Sequence, residues 1–415
     1  MNWIKSLFRV WRRETRLVFT DIGVLLFFFG LPIAYPIVYT LIYNPEVVKK
    51  MDTVVVDNSR SAESRELVRE LGATQSINVI GYASDINEAK RAWHEKKCYG
   101  VIEIPADYAR KLGRGEQAVA SFYCDMSLLL RYRQYLFSIT DVQMNETLRI
   151  TSQRLSQGGL ITSTIEGLPV NSQANFLGDV TQGFASFVMP GIVVLILQQS
   201  MLLGITMIAG TSRDRRRRNG GVDPLDYNAG PLATVLGKSL CYMMVYIPLA
   251  YYILEVIPYM FALPHVGTFW NFMPVVFVFL LATTFLGQTL QIFVRERESS
   301  LLVIVFTSVV FLFLSGLTWP RYAFNKFWYM VSELIPSTLG MEALIRINSN
   351  GSTISHLGHY YWGLWALTGL YFVTAVALRY FAQGRRSRED AVVPVSEAHP
   401  DNECQRREGA EMGEI

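Results

Sequence analysis

The sequence predicts an α-helical polytopic membrane protein, six transmembrane helices with an inserted α/β extracytoplasmic domain, and three observations carry that prediction. The 415 residues are 51% hydrophobic and only 18% charged, with a mean hydropathy of +0.23, a balance foreign to soluble, disordered or disulfide-scaffold chains. Formal charges are absent from stretches long enough to cross a bilayer core of about 30 Å, which takes about 20 apolar helical residues. Lysine and arginine gather in alternate connections. A net charge of +3, from 38 basic and 35 acidic residues, gives no ground for a nucleic-acid partner, because the charges nearly cancel.

Residues 1–21 are expected to form a cytoplasmic interfacial helix. At 100° per residue Trp3, Ile4, Leu7, Phe8, Val10, Trp11, Leu17, Val18 and Phe19 fall on one face, and Lys5, Arg9, Arg12, Arg13 and Arg16 on the other. Such a helix lies in the headgroup layer with membrane lipid as its partner. Glu14 alone is out of place. A signal peptide is the other reading, but the apolar run that follows is too long, contains proline and lacks a small-residue cleavage pattern.

Residues 22–45 then form the first span, with no formal charge. Residues 180–384 hold five more, from uncharged runs at 180–212, 239–261, 269–294, 299–320 and 360–378, broken only by Glu255. Five basic residues precede the first span, six lie in the loop 210–238, Arg295 and Arg297 sit before the fifth span, and six follow Leu378. With six spans these four clusters share one side, which makes both termini cytoplasmic. A polar tail, 385–415, closes the chain.

Between the first two spans, residues 46–179 carry 16 basic and 17 acidic residues and read as a folded domain on the far side. Strand-like runs at 53–56, 77–82, 99–104 and 118–123 alternate with helical runs at 62–71, 85–96 and 106–111, a small α/β unit. Asp57-Asn58-Ser59 ends the first strand and offers a helix cap, Asp85 caps the second helix, and Pro105 stops the third strand. A helix from Leu128 to Leu155 is long enough to reach about 40 Å back toward the membrane, until Gly158-Gly159 breaks it. Cys98 and Cys124 lie in this domain; antiparallel pairing of their strands would let them join, and parallel pairing would hold them about 20 Å apart. Cys241, in a span, and Cys404, in the tail, are expected as reduced thiols.

No motif here argues for an enzyme. Gly237-Lys238-Ser239 looks like the end of a phosphate-binding loop, but Leu232 stands where that loop needs glycine and the triplet enters an apolar span instead of following a strand. His356 and His359 lack the companions of a metal site, and Gly-x-Ser-x-Gly is absent. No metal or cofactor is expected on this chain. Intramembrane polar groups are candidates for a substrate path by default: Gln198, Gln199, Gln288 and Glu255. For neutral amides bonding across helices is the commoner outcome, and Glu255, about 24 Å along its helix from Ser239, is better read as hydrated near the outer interface.

The order of features, a basic interfacial helix, one span, a large external α/β insert and five spans, resembles an ABC-2 type transporter permease of the bacterial drug and lipid-like efflux branch. The local matches are Asn171-Ser172-Gln173-Ala174-Asn175 running into Met189-Pro190-Gly191 and Gln198-Gln199, Arg295-Glu296-Arg297-Glu298 before the fifth span, Ser315-Gly316-Leu317-Thr318-Trp319-Pro320 after it, and Pro336-Ser337-Thr338. Such permeases carry a charged stretch and a coupling helix between spans two and three. Here Arg213-Asp214-Arg215-Arg216-Arg217-Arg218 is more basic than that pattern and also serves as a positive-inside anchor.

What the resemblance implies is an exporter subunit of the bacterial inner membrane for an amphiphilic or hydrophobic substrate. ATP and Mg would be handled by a separate ABC ATPase subunit. The residues that the coupling region offers are Arg213, Asp214, Arg215, Asp223, Arg295, Glu296, Arg297 and Glu298. Trp319, Pro320 and Pro336 fall in an exit-side segment, 318–350. Six spans make a poor conduit alone, so a second permease copy, identical or a paralogue, is expected. A periplasmic adaptor and an outer-membrane channel are further candidate partners. The rival readings are a membrane sensor, for which the residues after the last span are too few to form an output domain, and a non-transporting envelope-assembly protein.

Overall fold

The computed structural model describes residues 2–43, 49–125, 129–157, 184–220, 223, 225, 229–263, 266–294 and 296–392. The glycine pair at 158–159, the 171–175 motif, Pro264, Arg295 and Cys404 lie outside them. The chain divides into two compact units, residues 45–176 and the remainder.

In the inserted unit the strands β1 (Met51–Asp57), β2 (Ile77–Tyr82), β3 (Gly100–Ile104) and β4 (Ser121–Cys124) form one sheet in the order β2-β1-β3-β4. β1 runs parallel to β2 and β3, and β4 is antiparallel to β3. β1 is buried along nearly its whole length, as expected of a central parallel strand covered on both faces. One face packs Val55, Ile102 and Ile104 under α4 (Ala62–Ala73), α6 (Tyr108–Arg114) and α7 (Leu129–Gln157). The other packs Val54, Val56 and Val101 under α5 (Ile86–His94). Ser61 and Asp85 cap α4 and α5 by accepting the backbone N–H of Ser64 and of Glu88.

Helix α7 packs on the domain: Tyr135, Ile139 and Val142 enter the core, the Tyr135 hydroxyl meets Thr53, and Arg149 reaches Glu66 and Glu70. β4 takes the antiparallel pairing, which sets Gly100 opposite Cys124; even so, Cys98 and Cys124 are free thiols.

The second unit is helical, and six of its helices are long and apolar enough to cross a membrane: Ile22–Ile42, Val188–Arg218, Pro231–Met260, Phe269–Leu290, Arg297–Leu314 and Ile354–Gln383. Before them comes α1 (Asn2–Thr20). The first span is α2 (Ile22–Leu25), a π turn (Leu26–Gly30) and α3 (Leu31–Tyr43). α8 (Phe184–Arg218) is the central column, 83% buried over its apolar window. α9 (Pro231–Tyr251) continues through a second π turn (Tyr252–Val256) into α10 (Ile257–Met260). α11 (Phe269–Leu290), α12 (Arg297–Leu314), α13 (Lys326–Glu333), α14 (Pro336–Asn350) and α15 (Gly358–Val392) complete it. Phe28, in the first π turn, packs edge-on against Tyr242 and Tyr246 at 5.9 and 5.1 Å, within the geometry that favours aromatic pairs.

The stretch expected as a loop, 210–238, is largely helix, because α8 runs on to Arg218 and α9 begins at Pro231. Loss of apolar character marks the edge of the lipid, not the end of a helix. Arginines in a last turn favour the negative end of the helix dipole, and proline is at home in a first turn. Helix α15 likewise runs past residue 384.

Candidate functional site

Helix α1 is held against α9 by a buried charged contact. Its inward residues are Val10, Glu14, Leu17 and Val18. Glu14 explains its own misfit on the basic face: its carboxylate is 3.2 Å from Lys238 Nζ, and the Tyr242 hydroxyl donates to it. The side chains of Glu14 and Lys238 are 1% and 11% exposed. Burial alone would raise the Glu14 carboxyl, but the Lys238 ammonium and the Tyr242 hydrogen bond outweigh it and hold the group below the usual carboxylate range. One turn away, the Thr15 hydroxyl donates to Cys241 Sγ at 3.3 Å.

The Gly237-Lys238-Ser239 triplet packs α9 against its neighbours. A Cβ on Gly237 would stand 2.9 Å from the Leu7 carbonyl oxygen, so only glycine lets α1 approach so closely. Lys238 binds Glu14. Ser239 Oγ accepts from Gln288 Nε2 at 2.8 Å and ties in α11.

A second cluster joins the ends of α1, α8 and α12. Asp223, nearly buried, accepts from Arg13 at 3.2 Å and from Arg215 at 3.4 Å. Asp214 accepts from the backbone N–H of Arg297 at 3.3 Å. The Arg297 guanidinium donates to Asp21 at 2.6 Å, and Asp21 also accepts the N–H groups of Gly23 and Val24 at the start of α2. Arg217 and Glu296 pair at 2.8 Å across exposed ends. Gly210 makes this meeting feasible: a Cβ there would be 2.8 Å from Arg297 Cα.

Five of the residues expected in the coupling region, Asp214, Arg215, Asp223, Glu296 and Arg297, are thus brought together from sequence positions far apart. Arg213 lies in the same last turns of α8. Glu298 is exposed in the first turn of α12 and joins none of these pairs. Arg13, Glu14, Asp21, Lys238 and Tyr242 escaped sequence reasoning. The one available signal was a carboxylate among arginines at position 14.

The four candidate path residues separate. Gln288 is a strut between α11 and α9, donating to Ser239 and to the Val235 carbonyl, and Gln198 Oε1 accepts the N–H of Ser337 at the start of α14, 2.7 Å away. Both spend hydrogen bonds on packing, as buried amides in spans commonly do. Gln199 is different: its amide atoms are shielded from solvent and bond to nothing among the described residues. Glu255 lies half-buried in the second π turn.

In the segment 318–350, Trp319 is 61% exposed, Pro320 precedes a short 3₁₀ turn, and Pro336 opens α14. Sequence reasoning passed over the residue that organises it: Arg321 is buried, paired with Glu333, bonded to Ser332 and stacked over Tyr329 at 4.8 Å. His359 is 3.5 Å from the same Glu333, and His356 bonds to Thr353. Among the described residues no group of three or more His, Cys, Asp and Glu side chains is placed to hold a metal ion.

A family model described as ABC-2 family transporter protein matches residues 22–377. Comparison with curated proteins found no match.

Proposed function

The chain belongs to the ABC-2 family of transporter proteins, and from that premise we propose that it is the membrane-spanning permease subunit of an ATP-driven exporter. It works with a second permease copy, and a separate ABC ATPase binds and hydrolyses ATP with Mg. Its inserted α/β domain is extracytoplasmic, both termini are cytoplasmic, and the membrane is the bacterial inner membrane. An amphiphilic or hydrophobic substrate suits spans with so few fixed charges, and a periplasmic adaptor and an outer-membrane channel are the further partners of this proposal.

The observation that carries this reading is the charged cluster. It links α1, the last turns of α8 and the first turn of α12 through Asp223, Asp214 and Arg297, in the region where the family resemblance puts the ATPase contact. Elements joined by ion pairs move as one body, so a push from the ATPase on residues 213–223 is delivered to α12 and α1 together and rocks the bundle as a rigid unit. Gln199, whose buried amide finds no partner among the described residues, fits a group that meets substrate or the second copy. Purification of the native complex tests the proposal: an ATPase polypeptide should co-purify and its hydrolysis should respond to Asp223→Asn. A complex that contains no ATPase removes the reading.

A further inference from the structure

A cleft of about 400 Å³ opens where the junction of α1 and α2 meets the end of α8 and the start of α12. We propose that it is a binding site for the phosphate-bearing headgroup of an anionic phospholipid. Arg215 and Arg297 line it together with Asp21; each guanidinium has one carboxylate partner, Asp223 for Arg215 and Asp21 for Arg297, and the site rests on the donors that these pairs leave over.

Neither guanidinium is spent. Arg297 gives Nη2 to Asp21, and Arg215 gives Nε to Asp223 and Nη2 to Ser212; no described residue accepts from Nη1 of either. Two such forks facing one space are the arrangement that recognises phosphate. The volume exceeds the ~150 Å³ that admits a benzene ring. What favours a lipid over a soluble anion is the exposed apolar surface that continues from the lining of the cleft. Ile22, in its lining, is 84% exposed, and Leu26, one turn along the same stripe, is 60% exposed. An acyl chain can lie on that surface while its phosphate sits between the arginines. The site rests on the chain spanning a membrane and not on the identity of the cargo; Arg215 and Arg297 also belong to the cluster proposed for coupling, and lipid retention by the chain without any ATPase keeps the two readings distinguishable.

The test uses the full chain in detergent micelles with phosphatidylglycerol, phosphatidylcholine or inorganic phosphate, read by native mass spectrometry and thermal unfolding. Phosphatidylglycerol should be retained about tenfold or more in preference to phosphatidylcholine, roughly what one charge-assisted hydrogen bond supplies, and should raise the melting temperature. Thr20→Glu puts a carboxylate at the cleft from an exposed position and should abolish the preference, whereas Thr20→Gln should keep it. Equal retention of the two lipids overturns the proposal. So does a preference that survives Thr20→Glu or is lost in Thr20→Gln. Stabilisation by inorganic phosphate equal to that by phosphatidylglycerol assigns the cleft to a soluble anion and overturns the lipid.

Discussion

Replacing Lys238 by methionine leaves the Glu14 carboxylate buried without its cation. Both side chains are shielded from solvent, so the loss is that of breaking a buried pair from one side, about 3–5 kcal/mol. Glu14→Gln together with Lys238→Met removes both charges from a site of unchanged size and should return stability to within about 2 kcal/mol of the wild type, since a buried pair is itself worth little against a neutral replacement. Tyr242→Phe removes one hydrogen bond to a charged acceptor, about 1.5–3 kcal/mol. The assay is a double-mutant cycle on denaturant unfolding of the full chain in micelles. Because Glu14 is held below the usual carboxylate range, its contribution is complete above that range and is lost as pH falls through the lowered value. The Gln variant should lack this acid limb. A Lys238→Met cost under about 1 kcal/mol, or a double variant as unstable as the two singles summed, would refute the argument.

Asp223→Asn leaves Arg13 and Arg215 facing a neutral group and should cost about 3 kcal/mol in the same unfolding assay. Gly210→Val drives a side chain into the backbone at Arg297; overpacking of about 1–3 kcal/mol is expected, with faster proteolysis at the start of α12. Burial, and then the neighbouring Glu146 carboxylate, push Glu70 above its ordinary value. Its contribution to the inserted domain is therefore greatest at low pH and is lost as pH rises through the raised value, and Glu70→Gln should flatten the pH dependence of hydrogen exchange in α4. In a cysteine-free background, thiols placed at the exposed Arg65 and at Arg216 should label from opposite sides of the membrane, and labelling of both from one side would overturn the proposed topology.

The spans and the alternation within the inserted domain were legible because each follows from local periodicity. Continuous apolar length marks a membrane helix, and runs such as Val54-Val55-Val56 mark a strand buried on both faces. Helix ends were not legible in the same way. The arginines at 215–218 stop the apolar run but not the hydrogen-bond ladder of α8, and Pro231 starts α9 ahead of the apolar stretch that signals the span. The residues proposed for coupling were legible only as two charged segments, 213–223 and 295–298, without any means of joining them.

Composition and order alone determined that this chain is a six-span membrane protein with an α/β insert, because solvent sorting acts on every residue by its own chemistry. The tertiary structure decided which polar groups hold the helices together. Glu14 meets Lys238 across 224 positions of sequence, and Asp21 meets Arg297 across 276. Partners at such separations are set by how helices pack, and packing distance leaves no period in the sequence.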